Sequence, residues 1–192
     1  MNHTARLHGG SMKPSYNRVY TITLARQEDL ARLAAIELAA ADLLAGHAPD
    51  SVLRETTSLS ELRCAQTQCR LWVALVDDVP VGFAHVEVFE PMVAHLIEID
   101  VHPDYGKRGI GTSLVMAVCN SFALAGYAFV TLTTFRDVPW NMPFYSRLGF
   151  EEVPADEIRP ELAAVVEDET ARGLDPHRRV VMRYRVRSPG TP

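Results

Sequence analysis

A short basic stretch between an apolar strand and an amphipathic helix carries the clearest chemical signal in the sequence. It reads Gly106-Lys107-Arg108-Gly109-Ile110-Gly111-Thr112. The glycines allow backbone conformations that other residues avoid, so that successive amides can turn inward while the two basic side chains add positive charge. The first amides of the following helix have no partner within the helix, and the helix dipole favours an anion there. The stretch therefore predicts a diphosphate site formed by Lys107, Arg108 and the amides of residues 109–112.

Two better-known phosphate-binding loops do not fit this stretch. A P-loop ends in Gly-Lys-Ser/Thr, whereas Thr112 follows Gly111 directly. A dinucleotide-binding fold places its glycine-rich turn after the first strand of an alternating strand-helix chain, whereas several predicted strands precede Gly106. Taken alone, the glycines also fit a plain strand-to-helix turn.

Two carboxylates on the strand predicted over residues 93–102 offer acid-base chemistry. Strand alternation places Glu98 and Asp100 on one face, about 7 Å apart, and His95 and Ile97 on the other. Polar side chains in a central strand favour a role in a site. The alternatives are that the carboxylates hydrogen-bond to neighbouring loops and that His95 is a hydrogen-bonded histidine at the start of the strand.

The second informative block covers residues 137–150 and reads DVPWNMPFYSRLGF. Together the two blocks resemble the GNAT superfamily of acetyl-coenzyme A-dependent N-acetyltransferases, which carries Gln/Arg-x-x-Gly-x-Gly/Ala after its fourth strand and Asn...Phe-Tyr-x-x-Leu-Gly-Phe further along. The matching residues are Gly106-Lys-Arg-Gly109-Ile-Gly111 and Asn141-Met-Pro-Phe-Tyr145-Ser-Arg-Leu-Gly149-Phe150. The resemblance covers about residues 19–187. It departs from the family at Gly106, where Gln or Arg is usual, and in the short spacing from Asn141 to Tyr145.

This resemblance implies that an amine attacks the thioester of acetyl-coenzyme A, the co-substrate, while both are bound. In relatives such as polyamine acetyltransferases, the carboxylate at the position of Glu98 contacts the amine, which implies that Glu98 removes a proton directly or through water. His95 is the rival base. Tyr145 matches the block whose tyrosine returns a proton to the departing thiolate, and a phenol pKa of about 10 suits that role. The resemblance therefore implies Glu98 and Tyr145 as catalytic residues and involves no metal.

The resemblance also implies cofactor contacts outside the basic stretch. The family binds the pantetheine arm by main-chain hydrogen bonds along its fourth strand, here Ile99, Asp100 and Val101, which requires this strand to separate from its parallel neighbour. Asn141 in the second block is a further candidate contact. Its position just before a Met-Pro pair also predicts a helix N-cap.

The acceptor is predicted from an acidic segment. Residues 151–169 contain eight carboxylates and one basic residue, Arg159. In relatives this connection borders the acceptor cleft, and an acidic rim favours a small cationic amine, such as a polyamine or an amino sugar, by electrostatic steering. The alternatives are a solvated acidic helix face, a protein amine as acceptor, and a non-catalytic acyl-coenzyme A sensor or interaction module.

Composition indicates one domain. The 192 residues are 47% hydrophobic, which is enough for one sizeable core. We expect a disordered lead over residues 1–15, a single domain over 16–188 and a tail over 189–192. The net charge of −5 disfavours a nucleic-acid partner. No stretch approaches the roughly 20 apolar residues of a membrane span or forms a signal peptide, and the three cysteines form no C-x-x-C pair, so we expect no membrane association and a cytoplasmic location.

The order of elements follows from hydrophobic periodicity. Strands are predicted at residues 19–25, 70–77, 80–89, 93–102, 128–135 and 178–187, and helices at 27–44, 51–66 and 109–125. The first helix has Leu30, Leu33, Ala34 and Leu38 at helical spacing, and the last strand turns its arginines, Arg183, Arg185 and Arg187, toward water. The fold class is α/β (α+β): a mixed, mostly antiparallel sheet of six to seven strands, with a βαβ crossover and helices on both faces. Such folds also allow a homodimer.

Overall fold

The computed structural model describes residues 19–89 and 92–186, and seven strands form one sheet within them. The strands are β1 (Thr21–Leu24), β2 (Leu71–Val76), β3 (Val79–Phe89), β4 (Val93–Val101), β5 (Phe129–Phe135), β6 (Glu151–Glu152) and β7 (Arg179–Arg185). Their order is β1-β2-β3-β4-β5-β7-β6, and only β4 and β5 are parallel neighbours. The predicted mixed sheet with one parallel crossover is confirmed. The proposed lead, the tail and Arg187 lie outside the described residues.

Six α-helices accompany the sheet in the described part of the chain. They are α1 (Leu33–Ala41), α2 (Asp50–Leu53), α3 (Leu59–Thr67), α4 (Ile110–Leu124), α5 (Met142–Arg147) and α6 (Pro160–Ala171). The helix predicted over residues 27–44 begins and ends as 3-10 helix around α1. The helix predicted over 51–66 is wrong as one element, because α3 begins anew at Ser58, whose hydroxyl and whose partner Glu61 form a capping box.

Helices cover both faces of the sheet. The larger core lies between the sheet and α4, where Trp72, Leu114 and Leu132 are buried. A second core lies on the opposite face, where Leu33 of α1 and Leu62 of α3 pack with strand residues. The prediction of helices on both faces is therefore confirmed. The second face also carries the polar side chains described below.

Strand β4 contains a bulge. Val86 of β3 lies opposite Leu96, but the preceding His85 lies opposite Glu98, so Ile97 has no counterpart in the described register of β3. Such an extra residue locally breaks the alternation of side chains and bends the strand. Ile97 is 40% exposed, in contrast to its buried neighbour Leu96. The regular alternation assumed from the sequence is therefore wrong at this point.

The parallel pairing of β4 with β5 ends at the bulge. It runs from Val93 opposite Phe129 to Leu96 opposite Leu132, and no later described residue of β4 pairs with β5. The strands thus separate as the resemblance required, and main-chain groups beyond Leu96 are left facing the gap. A β-carbon at Gly111 would lie 3.6 Å from the ring of Phe144 and 3.9 Å from Val101, so the start of α4, the end of β4 and α5 meet beside this gap.

Candidate active site

The start of α4 is an exposed, glycine-shaped turn. Gly109 is the N-cap and has a left-handed backbone with φ 83°, and Lys107 has φ 59°. Lys107, Gly109 and Thr112 are exposed, so the turn and the first amides of α4 are open to a ligand. The hydroxyl of Tyr20 lies 2.9 Å from that of Ser113 and ties this first turn to the chain before β1. A diphosphate site formed by these amides stays a prediction.

Arg108 has contacts within the turn itself. Its guanidinium donates a 2.8 Å hydrogen bond to the carbonyl of Asp104 and lies 5.3 Å from the centroid of the Tyr105 ring. These contacts stabilise the loop that precedes α4. A phosphate contact for the side chains of Lys107 and Arg108 stays a prediction.

Beyond the bulge, the apolar and the polar side chains of β4 lie on opposite faces of the strand. Ile99 and Val101 pack against the α4 core, as Ala94 and Leu96 do before the bulge. Glu98 and Asp100 therefore share the opposite face, as predicted. His95 lies on that face as well, because its neighbours Ala94 and Leu96 face α4. Its predicted placement opposite the two carboxylates is wrong, and the cause is the extra residue at Ile97.

The carboxyl groups of Glu98 and Asp100 lie in a poorly solvated, negatively charged environment. Burial, followed by the charge of Glu37 on α1, raises the pKa of Glu98 to about 7. Burial and the charges of Glu98 and Glu37 raise the pKa of Asp100 well above its usual range. The Oδ2 atom of Asp100 is buried without a hydrogen-bond partner among the described residues. An ammonium group placed here would satisfy that oxygen.

Glu37 was missed by the sequence reasoning. It is 8% exposed and follows the buried Leu30 and Leu33 by seven and four residues, which places it on the inner stripe of the first helical segment. Leu38, which was predicted for that stripe, is 42% exposed. The available signal was a carboxylate at helical spacing from two core leucines.

Tyr145 lies on α5 beside the same carboxylates. Its ring makes edge contacts with Phe144 and Phe150, at centroid distances of 5.0 and 5.7 Å. Burial and the charges of Glu98 and Asp100 raise the pKa of Tyr145 above that of a free phenol. The hydroxyl is therefore protonated at neutral pH, which is the form that a proton donor needs.

His95 is held as a neutral ring. Its Nδ1 lies 2.9 Å from the hydroxyl of Thr131, and that hydroxyl donates to the carbonyl of Ala94 at 3.1 Å. Because the Thr131 proton is used in that bond, Nδ1 must carry the proton shared with Thr131. Burial lowers the pKa of His95 to about 4. These contacts favour the interpretation of His95 as a hydrogen-bonded structural residue.

Asn141 begins α5, as predicted, but its side chain accepts no capping hydrogen bond within the described chain. Its carbonyl oxygen accepts the amides of Phe144 and Tyr145 at 2.9 and 3.3 Å. The side-chain cap is therefore wrong, and a cofactor contact for this side chain stays a prediction. Gly149, with φ 94°, follows the end of the helix.

Half of the carboxylates in the acidic segment are paired with arginines. Four of its carboxylates lie within ion-pair distance of arginines: Glu152 with Arg136, Glu157 with Arg183, Glu161 with Arg159, and Glu169 with Arg179. The predicted acidic rim therefore loses much of its charge, and the water-facing assignment of Arg183 is wrong, since this residue is half-buried. The carboxyl groups nearest the site are instead those of Glu37, Glu98 and Asp100.

A buried ion pair lies next to these carboxylates. The guanidinium of Arg179 lies 2.6 Å from Glu169, and both side chains are at most 10% exposed. The hydroxyl of Thr133 donates to Glu169 at 2.5 Å. The charge of Arg179 also lowers the pKa of Glu98, which partly offsets burial. The pair thus supports one side of the polar face.

Removing one partner of this pair should be costly. We expect Glu169→Ala to lower the free energy of unfolding by about 3 kcal/mol, because Arg179 would be left buried without a counter-charge. The control is Glu157→Ala at the half-exposed pair with Arg183, which should cost about 0 to 1 kcal/mol. Urea unfolding at pH 7 measures both, and equal losses would contradict the asymmetry.

Three cysteines lie within the described residues. All three are free, and burial raises the pKa of Cys119 to about 12. Within residues 19–89 and 92–186, no group of three or more His, Cys, Asp or Glu side chains is arranged to hold a metal ion. The described helices also include none that is long and apolar enough to cross a membrane.

Solved structures with the same fold are numerous. The PaiA N-acetyltransferase of Thermoplasma acidophilum, in complex with coenzyme A, is 18% identical with a TM-score of 0.68, over 87% of this chain and 99% of that chain. The N-acetylglutamate synthase of Neisseria gonorrhoeae, complexed with coenzyme A and N-acetyl-glutamate, is 15% identical with a TM-score of 0.67, over 88% of this chain and 35% of that chain. At these identities the likeness shows the fold.

Sequence comparison identifies the family. An uncharacterized N-acetyltransferase of Methanocaldococcus jannaschii is 34% identical over 87 residues, which are 42% of this chain and 38% of that relative's length. Residues 34–150, more than half of the chain, match the sequence profile of the Acetyltransferase (GNAT) family. This range contains both glycine-rich blocks, Glu98 and Tyr145. The chain therefore belongs to the GNAT family of acetyltransferases.

Proposed function

We propose that this chain transfers an acetyl group from acetyl-coenzyme A to a primary amine of a small cationic molecule, with both substrates bound together. One observation carries the proposal: Glu98 and Asp100 lie just beyond the point where β4 separates from β5, and their charges act on Tyr145, while the charge of Glu37 acts on them. This arrangement combines a base, a protonated phenol and an open strand edge in one region of the fold.

The chain offers two groups of main-chain contacts for acetyl-coenzyme A. The amides at the start of α4 would hold its diphosphate, and the groups of Ile99, Asp100 and Val101 that face the gap would hold its pantetheine arm. When bound, the cofactor supplies an activated acyl carbonyl. The PaiA relative was solved in complex with coenzyme A, which supports this assignment.

The carboxylates have a definite task in such a reaction. An amine with a pKa of about 10.4 must lose a proton before it can attack, which costs about 4.6 kcal/mol at pH 7. Glu98 has a pKa of about 7 and is suited to accept this proton near neutral pH. Asp100, whose Oδ2 has no partner among the described residues, would bind the ammonium form first. The protonated Tyr145 would then donate its proton to the leaving thiolate.

The same charges select against anionic acceptors. N-acetyl-glutamate, present in the Neisseria gonorrhoeae complex, carries carboxylates, and such a molecule would be repelled by Glu37, Glu98 and Asp100 here. A cationic amine would be attracted and would relieve the repulsion among the three groups. The charge of this face, rather than the fold, supports the proposed acceptor class.

A panel of amines tests this function. Release of free thiol from acetyl-coenzyme A would be measured with diamines, amino sugars, glutamate and a peptide with a free N-terminus. We expect kcat/KM to be at least about tenfold higher for the cationic small molecules than for glutamate, because of electrostatic complementarity. Preference for the peptide would favour a protein acceptor. Thermal stabilisation by coenzyme A without thiol release across the panel would favour the sensor.

The turn before α4 can be tested with a matched pair of glycines. Gly109 and Gly126 flank α4 with nearly equal φ angles, 83° and 84°, so alanine should cost each about 1 kcal/mol of stability. A β-carbon at Gly109 would lie 3.3 Å from the Tyr20 hydroxyl, whereas one at Gly126 would meet nothing within 4 Å. We expect Gly109→Ala, but not Gly126→Ala, to weaken coenzyme A binding about tenfold by calorimetry. Equal affinities would remove the turn from the cofactor site.

A further inference from the structure

Glu37 makes an unusual set of contacts for a helix carboxylate. Its two oxygens each lie 3.0 Å from the amide nitrogen of Thr57, and Oε1 also accepts the Thr57 hydroxyl at 3.1 Å. These hydrogen bonds from Thr57 favour the ionised form of Glu37, because a carboxylate accepts them more strongly than a neutral carboxyl group does. They partly offset burial, which raises the pKa of Glu37 above its usual range.

Thr57 belongs to the short segment over residues 54–58, which joins α2 to α3. The next residue, Ser58, caps α3, so the position of Thr57 fixes where that helix begins. Glu55, on the same segment, forms an ion pair with Arg172 at the end of α6. The segment therefore connects α1, α3 and α6 around the polar face, and Glu37 is its attachment point on α1.

The charge of Glu37 acts on the carboxylates of β4. Among the causes that raise the pKa of Glu98, it comes directly after burial, and it also contributes to the raised pKa of Asp100. The titratable and charged groups of the surrounding elements are His85 of β3, His95 and Asp100 of β4, Glu61 of α3, Tyr145 of α5, Glu169 of α6, Arg172 and Arg179. Arg172 and Arg179 each pair with another carboxylate. Their positive charge is therefore divided between two neighbours.

We propose that Glu37 is a positioning residue for the acetyl transfer. It fixes the segment 54–58 against the sheet face that carries Glu98 and Asp100, and it directs a second negative charge toward Glu98. This inference rests on the proposed function, because it assigns Glu37 a role in that reaction. Glu37 does not touch the reacting atoms. It acts through Thr57 on the shape of the face and through its charge on the base.

The two effects can be separated by two substitutions. Glu37→Gln removes the charge but keeps an oxygen that accepts the Thr57 amide. Thr57→Val removes the hydroxyl but keeps that amide and the charge of Glu37. A residue that only anchors the segment would respond alike to both changes. A residue that also sets the charge at Glu98 would respond to the first change alone in any measurement of Glu98 titration.

The decisive measurement needs no catalysis. The side-chain carboxyl carbon of Glu98 would be followed by ¹³C NMR from pH 4 to 9, with its signal assigned by its loss in Glu98→Gln. We expect the midpoint near 7 to fall by about half a pH unit or more in Glu37→Gln, because a nearby like charge is removed, and to stay in place in Thr57→Val. An unchanged midpoint in Glu37→Gln would overturn the proposal.

Kinetic measurements test whether Glu37 positions the segment 54–58. In Glu37→Gln we expect the rising limb of kcat/KM to move to lower pH by the same amount as the NMR midpoint, and in Thr57→Val we expect a higher KM for the amine with no movement of the limb. A KM equal to wild type in both variants would refute the positioning role. Lack of turnover by the wild type with every amine would instead refute the proposed function, while the NMR titration would still decide the charge effect.

Discussion

Tyr145→Phe should lower kcat by a factor of about 10² or more while leaving the affinity for coenzyme A within about twofold. The substitution removes one oxygen from a ring that is held by Phe144 and Phe150, so the aromatic contacts are kept. The phenol is kept protonated by burial and by the carboxylates of Glu98 and Asp100, which raise the pKa of Tyr145. Without its proton, the thiolate would have to leave as an anion next to those negative charges.

The control is Tyr184→Phe. Tyr184 packs on Phe150 from β7, with ring centroids 5.3 Å apart, so it belongs to the same aromatic group. We expect its kcat to stay within about twofold of wild type, since no proton transfer is assigned to it. Single-turnover measurements with acetyl-coenzyme A and the best amine of the panel would separate the chemical step from product release. Wild-type turnover in Tyr145→Phe would remove Tyr145 as the proton donor.

Glu98→Gln should lower kcat/KM by about 10² at pH 8 and abolish the main pH dependence near neutrality. Glu98 acts as a base only when ionised, so wild-type kcat/KM should rise with pH and reach half of its plateau near pH 7, where its pKa lies. The glutamine variant has no such group, and its profile should be flat through this range. An unchanged limb in the variant would transfer the role of base to His95 or to water.

Asp100→Asn provides the matched control for this limb. It replaces the neighbouring carboxyl group, whose own pKa is raised well above its usual range, but leaves the base in place, so the limb should persist.

Stability should respond to Glu98→Gln in the opposite direction. The folded-state pKa of Glu98 lies above that of an unfolded glutamate, so its protonated form favours folding at low pH, and this contribution is lost as pH rises through about 7. Glutamine has no charge to lose. The Tm of the variant should therefore exceed that of the wild type at pH 8 and match it near pH 4, and a lower Tm at pH 8 would contradict a desolvated Glu98.

The elements with strong local signals were predictable from the sequence. The turn between β2 and β3 is made by Asp77 and Asp78, whose φ angles of 51° and 61° fit a tight hairpin. Helix α4 runs between two left-handed glycines, Gly109 and Gly126, as the glycine positions indicated. Both signals lie within a few residues of the structure that they determine.

The features that were predicted wrongly depend on contacts between residues far apart in the sequence. Nothing near Ile97 marks it as an extra residue, because a bulge is defined by the register with β3. The acidic run looked unpaired because the arginines of its pairs at Glu157 and Glu169 lie on β7, at Arg183 and Arg179. Glu98 and Tyr145 were found through the family blocks, whereas Glu37, which lies outside both blocks, was not.

The extra residue in β4 marks the point at which the pairing of this strand changes. Up to Leu96, β4 pairs with β3 on one side and with β5 on the other. After Ile97, the described residues of β4 pair with β3 alone. Without the extra residue, β4 could pair with β5 along more of its length, and the sheet would gain hydrogen bonds. The gap proposed to hold the two substrates would then be closed. The first half of β4 thus holds the sheet together, while its second half lacks a partner strand on the side of β5, where the proposed acetyl-coenzyme A and amine would lie.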